Sequence, residues 1–280
     1  MNILLLTDFS ELADYARFLA DKCAVTLNAN LEILKIVDIP SDVEVNSEGE
    51  PLDGMFADTG HLLEKKKAAQ VEMKEWTKDL QSSYSSTVMY GHFQRSVRKF
   101  IEDNCIDLVI MGTHGVSGFK EFLSGSITET LIKNNRVPVL SLKCDRSDVS
   151  FEHILLSGDF EGFFDFTVFE KIQAVFNSKL HLISVVSSKE EESKSIVRMR
   201  NFALDNNLEN TDFHTIIAKG EEEGIELFIN QYEKDNKLSF ELLGVEKKDK
   251  SSLGYLLTGC QATSIVNHIW RPILTYLKKN

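Results

Sequence analysis

Cysteine, basic charge, long apolar runs and the familiar phosphate-binding motifs are all scarce in this sequence. Cys23, Cys105, Cys144 and Cys260 are scattered, with no CxxC pair and no Cys/His spacing of the kind a zinc finger or ribbon uses. Four free thiols fit a reducing compartment, where each reads as a small buried apolar residue. The formal charge of −12 argues against a nucleic-acid partner, because phosphate backbones call for clustered Lys and Arg. It leaves room for a small anion, since backbone N–H groups bind phosphate inside acidic proteins. The opening "MNILLLTDFS" has an apolar run of only Ile3 to Leu6 before Asp8, too short for a signal peptide or a bilayer span. The expectation is a cytoplasmic chain with no membrane partner.

Missing motifs narrow the enzymology. There is no GxxxxGK[ST], hence no P-loop lysine or magnesium-binding hydroxyl in the usual places. Neither first strand is followed by an SGGxDS-type pyrophosphatase loop, and "SGDFEG" from Ser157 lacks its second glycine and final serine. No GxGxxG follows the first strand, which disfavours a dinucleotide dehydrogenase. No positioned general base is visible, so no catalytic residue is assigned and any ATP turnover is expected to be slow. His61, His92, His153, His181, His214 and His268 form no constellation in the sequence, and no metal ligand is assigned.

What is present is a repeat. "NILLLTDFSE" returns as "HILLSGDFEG" from His153, and "NANLEILKIVD" at Asn28 returns as "NSKLHLISVVS" at Asn177. "RKFIEDNCIDLVIMG" has a weaker echo in "ELFINQYEKDNKLSFELLG", and "RVPVLSLK" at Arg136 returns as "RPILTYLK" at Arg271. Four echoes in one order indicate duplication, with a boundary in the polar stretch Cys144 to Ser150 and domains at 1–145 and 151–280.

Within the first half, continuous apolar runs alternate with helical spacing. "ILLLT" reads as a strand buried on both faces, and "SELADYARFLADKCA" as a helix capped by Ser10. "LEILKIV", "STVMYGH", "DLVIMG" and "VPVLSLK" are further strands; helices fall at about His61–Gln81, at "SVRKFIEDN" and at "SITETLIKNN". The resulting βαβαβαβαβ order predicts an α/β fold of two tandem, doubly wound, five-stranded parallel domains with right-handed crossovers. Pro138 and Pro272 open the last strand of each half, where proline is tolerated, and such an edge strand is a natural place for two units to pair. In the second half the first helix is placed around "FEGFFDFTVFEKIQAVF", whose phenylalanines are expected mostly in the core.

In open α/β sheets ligands sit beyond the carboxyl ends of the strands. Thr7-Asp8 and the loop Gly112–Ser126, "GTHGVSGFKEFLSGS", converge there. Glycines let backbone approach a ligand, and the helix opened by Gly125-Ser126 offers free N–H groups to a phosphate. Ser126-Ile127-Thr128-Glu129 also fits a capping box, so turn and ligand roles stay balanced on the residues alone.

The spacing Gly112-x2-Gly115-x9-Gly125-Ser126, its surroundings from Asp107 to Lys143, and the opening "ILLLTDFSE" resemble the universal stress protein family, UspA type. The resemblance covers the whole first half, and the second half looks like a diverged copy. It implies a Rossmann-like, adenine nucleotide alpha hydrolase-like fold, a stress-response role and ATP as ligand, with or without magnesium. Thr7 and Asp8 would then hold adenine and ribose, and Ile36 would line the adenine pocket. Met111, Gly112, His114 and Gly115 would surround ribose and the first phosphates, and Gly125, Ser126 and Ile127 the phosphate tail. His114 is expected to act through its main chain. The resemblance further implies that the halves pack as a pseudo-dimer through their last strands; whether two chains associate is left open. Protein partners are not legible.

"LGVEKKDKSSLGYLLTGC" departs from that pattern. Aligned on Gly244 and Gly259, it has Lys247 at the second glycine and Cys260 at the helix-opening serine. Asp159 survives after the first strand. The expectation is asymmetric: this half binds no ATP, or something else, and serves mainly as a structural partner.

Overall fold

A computed structural model of the protein describes residues 1–39, 60–112, 137–142, 149–162, 164–246 and 271–278. Its elements are β1 (Asn2–Leu6), α1 (Glu11–Thr26), β2 (Asn30–Val37), α2 (Gly60–Trp76), β3 (Tyr84–Tyr90), α3 (Phe93–Asp103), β4 (Leu108–Gly112) and β5 (Val139–Leu142). The second half follows with β6 (His153–Ser157), β7 (Phe164–Asp165), α4 (Thr167–Phe176), β8 (Lys179–Val186) and α5 (Lys189–Asp205), and ends with β9 (Thr211–Ile217), α6 (Glu221–Asn236), β10 (Leu242–Glu246) and β11 (Ile273–Lys278).

These strands form one sheet in the order β3-β2-β1-β4-β5-β11-β10-β6-β8-β9, with the two-residue β7 added beside β11. Apart from β7, which runs antiparallel to β11, each half is parallel, and its first strand lies at the centre. The halves meet where β5 and β11 run antiparallel, pairing Ser141 with Ile273 and Leu140 with Leu274. The two last strands therefore join as the resemblance implies, and the order on one side mirrors that on the other.

Both faces of the sheet are covered, which explains the unbroken apolar runs. Ile3 and Leu5 of β1 point into a core shared with α1, while Leu4 and Leu6 point into the opposite core with Val97 and Ile101 of α3. Ser10 caps α1 as read from the sequence: its Oγ accepts from Ala13 N at 3.3 Å. Helix α2 ends at Trp76, short of the predicted Gln81, because the Asp21 carboxylate captures the N–H groups of Gln81 and Ser82 and turns the chain into β3.

The phenylalanine-rich stretch is not one helix. Phe160 sits at φ 56° and Gly162 at φ 99°, and Phe164 enters β7. Helix α4 starts only at Thr167, whose N–H is taken by the Asp165 carboxylate. Phe160, Phe164, Phe166 and Phe169 are all buried, so the turn and the short strand direct into one core side chains that a single helix would spread around its axis.

The register also makes the two halves comparable residue by residue. Asn2 pairs with Asn30 in β1–β2, and His153 with Lys179 in β6–β8. Ile110 pairs with Leu140 in β4–β5, as Gly244 pairs with Leu274 in β10–β11. Gly244 is thus the counterpart of Ile110, and Glu246 stands at the place of Gly112. The alignment of Gly244 with Gly112 was two residues out of step.

Candidate functional site

At the carboxyl end of β1 the chain leaves the sheet in a fixed turn. Thr7 N donates to Leu34 O at 3.1 Å and the Thr7 hydroxyl accepts from Phe9 N at 3.0 Å. One Asp8 oxygen, Oδ1, accepts from Ser10 N at 2.9 Å, an Asx turn that delivers Ser10 to its cap position. The other, Oδ2, is buried and has no hydrogen-bonding partner among the described residues. A carboxylate oxygen kept from water in this way is expensive unless a donor reaches it.

Gly112, at the end of β4, is bare for a steric reason. A Cβ there would lie 2.5 Å from Leu12 O and 2.6 Å from Leu12 C, so any side chain would push the first turn of α1 off the sheet. Ile36 and Met111 flank Leu6 in one buried cluster, each almost fully covered. The structure therefore brings Thr7, Asp8, Ile36, Met111 and Gly112 to one end of three adjacent strands. His114, Gly115, Gly125, Ser126 and Ile127 lie outside the described residues.

Lys35 is a residue the sequence reading passed over. It is 7% exposed, with its Nζ 5.1 Å from the Phe9 ring. Burial pulls its pKa down to about 8 against the opposing pull of Asp8 and Glu72. Within "LEILKIV" its charge was the one available signal, a lysine inside a strand buried on both faces.

The second half builds the same strand-end turn. Asp159 Oδ1 accepts from Glu161 N at 2.9 Å, and Phe160, like Phe9 at φ 64°, takes a left-handed backbone. Beyond it lies a cavity of about 280 Å³ lined by Gly158, Asp159, Ser184, Val185, Arg198 and Lys219 among others. By register, Gly158, Asp159 and Val185 are the counterparts of Thr7, Asp8 and Ile36, and Ser184 that of Lys35. Gly244 has a packing role: a Cβ would sit 2.3 Å from Leu156 Cδ2 and 2.8 Å from Phe169 Cζ.

The histidines that show no constellation in sequence form one in space. His153 Nδ1 lies 3.1 Å from His181 Nε2, and His181 Nδ1 lies 3.3 Å from His214 Nε2. Their separations of 28 and 33 residues match no motif; the alignment of β6, β8 and β9 brings them together. His181 is fully buried, and its pKa falls to about 3 through burial, then through the neighbouring His214 and His153. Burial also lowers that of His214. Asp212, beside them on β9, is held below its ordinary range by a hydrogen bond from Lys179 at 2.8 Å.

Among the described residues no helix is long and apolar enough to cross a membrane. The profile of the universal stress protein family matches residues 1–143. Universal stress protein MJ0577 of Methanocaldococcus jannaschii is 34% identical over 82 residues, 29% of this chain and 51% of that protein. The alignment thus spans about half the length of MJ0577. MJ0531 of the same organism, also a universal stress protein, is 28% identical over 143 residues, 51% of this chain and 81% of its own. A universal stress protein of Archaeoglobus fulgidus superposes with a TM-score of 0.67 at 16% identity, over 100% of this chain and 98% of that one. At that identity the superposition speaks for the fold, and it does so from end to end. With the family profile covering half of its 280 residues, the chain belongs to the universal stress protein family.

Proposed function

We infer that this is an ATP-binding regulatory protein of the cytoplasm, organised as domains 1–145 and 151–280, with the nucleotide held by the first. The observation that carries the reading is Asp8 Oδ2, a buried acceptor without a partner among the described residues, beside the strand end where Gly112 lets the first turn of α1 close on the sheet. Ribose hydroxyls or the adenine amino group supply the donor that this oxygen lacks. Thr7, Ile36 and Met111 would enclose the base and sugar. The loop carrying His114, Gly115, Gly125, Ser126 and Ile127 would hold the phosphates on main-chain N–H groups, with or without magnesium. Nucleotide occupancy would then alter contacts with protein partners.

Native mass spectrometry of protein purified without added ligand tests this reading. One ATP per chain supports it, and a chain free of nucleotide that gains no thermal stability on adding ATP overturns it. Release of ADP or AMP at an appreciable rate would instead favour an enzyme. Gly115→Leu should abolish stabilisation by ATP, and an unchanged shift would remove the loop from the site.

A further inference from the structure

We propose that the second half carries a divalent transition-metal site whose ligands are His181 Nδ1, His214 Nε2 and a carboxylate oxygen of Asp212, taking zinc or a cation of similar preference. One ligand atom from each of these residues lies within 4.8 Å of the others. The two imidazole nitrogens are 3.3 Å apart, and His181 Nδ1 is 4.0 Å from Asp212 Oδ2. Bonds of about 2.0–2.1 Å to a tetrahedral zinc place neighbouring ligands about 3.3–3.4 Å apart, so the imidazole pair already spans one edge. A small movement of Asp212 closes the second edge, leaving the fourth position to water or an incoming ligand.

Three further features distinguish this set from histidines that merely hydrogen-bond to one another. The far nitrogen of His181 faces His153 Nδ1 at 3.1 Å, so His153 can accept its N–H and fix the ring with Nδ1 free to ligate. Aromatic rings hold both ligating imidazoles: Tyr232 and Phe240 lie 5.4 and 5.0 Å from His181, and Phe228 and Tyr232 lie 4.9 and 5.0 Å from His214. The ligands stand on adjacent strands, which hold geometry better than loops.

The fold itself does not require these residues. At the matching places of the first half stand Asn2, Glu32, Ser85 and Thr87, and the same strands form there without an imidazole. Asp212 already has a cation, the Lys179 ammonium at 2.8 Å, but that side chain is 37% exposed and can swing into solvent when a metal takes the carboxylate. Lys179 is therefore a competitor whose removal should favour the metal.

The test uses the full chain, stripped with a chelator and titrated with Zn²⁺ against a chromophoric competitor, and with Co²⁺ for its visible spectrum. The expected result is one Zn²⁺ per chain and Co²⁺ bands of four-coordinate intensity. His214→Gln and Asp212→Asn should each weaken Zn²⁺ by about tenfold or more, since each removes a ligand. Lys179→Met should tighten it, and Asp8→Asn, after β1 and separated from β8 by five intervening strands, should leave it unchanged. Circular dichroism confirms that the variants fold; both replaced ligands are partly exposed. The absence of saturable Zn²⁺ binding would overturn the proposal, as would binding of equal strength in His214→Gln and Asp212→Asn.

Discussion

The two strand ends that follow β1 and β6 share a backbone and differ in almost everything attached to it. Both have an aspartate whose Oδ1 caps the N–H two residues on, and both continue through a left-handed phenylalanine. In the first half Gly112 lets α1 close on the sheet; in the second, Glu246 stands in that place. Lys35 is buried beside the first site, while Ser184 lines an open cavity at the second. Duplication has preserved the turn, which the fold needs, and released the side chains around it.

The largest effect should come from the glycine contrast. Gly112→Val must move backbone atoms of Leu12 and is expected to destabilise by about 3 kcal/mol or more, with loss of ATP binding. Gly244→Ala meets only side chains, those of Leu156 and Phe169, and should lose about 1–3 kcal/mol with ATP binding intact. Denaturant unfolding with and without ATP separates the two; equal loss of binding in both variants would break the comparison.

Lys35 gives the next effect, and its sign follows from its depressed pKa. Below pH 8 the folded state holds a charged, buried lysine and bears the whole burial penalty. Between pH 8 and the ordinary value of 10.5 the folded chain loses this proton first, so the stability due to Lys35 rises with pH. Lys35→Met should therefore stabilise the protein by up to about 3 kcal/mol at pH 7, a gain that shrinks above pH 8 and disappears near the unfolded value. Parallel unfolding curves across that range check it; a gain independent of pH would show that packing, not charge, is responsible.

How far the sequence led depended on whether the signal was local. Apolar runs, the Ser10 cap and the ordered echoes are local, and they led to the α/β layout and to last strands that pair. The Phe160–Phe176 stretch misled because its apolar density matches a helix, while the positive φ of Phe160 and Gly162 is decided by the core the side chains enter. Gly244 misled because glycine identity outweighed register, which only strand pairing determines. The histidine set was invisible for the same reason: three strands must be laid side by side before residues so far apart meet. The convergence of Thr7, Asp8, Ile36, Met111 and Gly112 was legible because each lies at or near the end of a readable strand; Lys35 was not, because an isolated lysine in a strand says nothing of what covers it.

A smaller effect tests whether the aspartates still do the same work. Asp8→Asn replaces one of the proposed acceptor's oxygens by a donor and should weaken ATP by about ten- to a hundredfold, roughly 1.4–2.7 kcal/mol. Asp159→Asn should leave the thermal shift with ATP as it is in the parent. If both variants lose the shift equally, the second half also takes ATP and the asymmetry is wrong.

The smallest effect lies at the seam, where symmetry would make Ser141 and Thr275 equivalent. They are not: both hydroxyls donate across the seam, Ser141 Oγ to Ile273 O at 3.4 Å and Thr275 Oγ1 to Val139 O at 3.5 Å, but Thr275 Oγ1 in addition accepts from Val139 N at 3.1 Å. Thr275→Val leaves a buried N–H without its acceptor and should lose about 1–2 kcal/mol, because an unpaired donor bears its desolvation penalty. Ser141→Ala removes a long bond to a carbonyl already at the sheet junction, and should lose about 1 kcal/mol or less. Both side chains are buried at the centre of one continuous sheet, so the difference, read from denaturant midpoints, isolates the single N–H. Equal losses would mean that the junction is as symmetric in energy as it is in strand order.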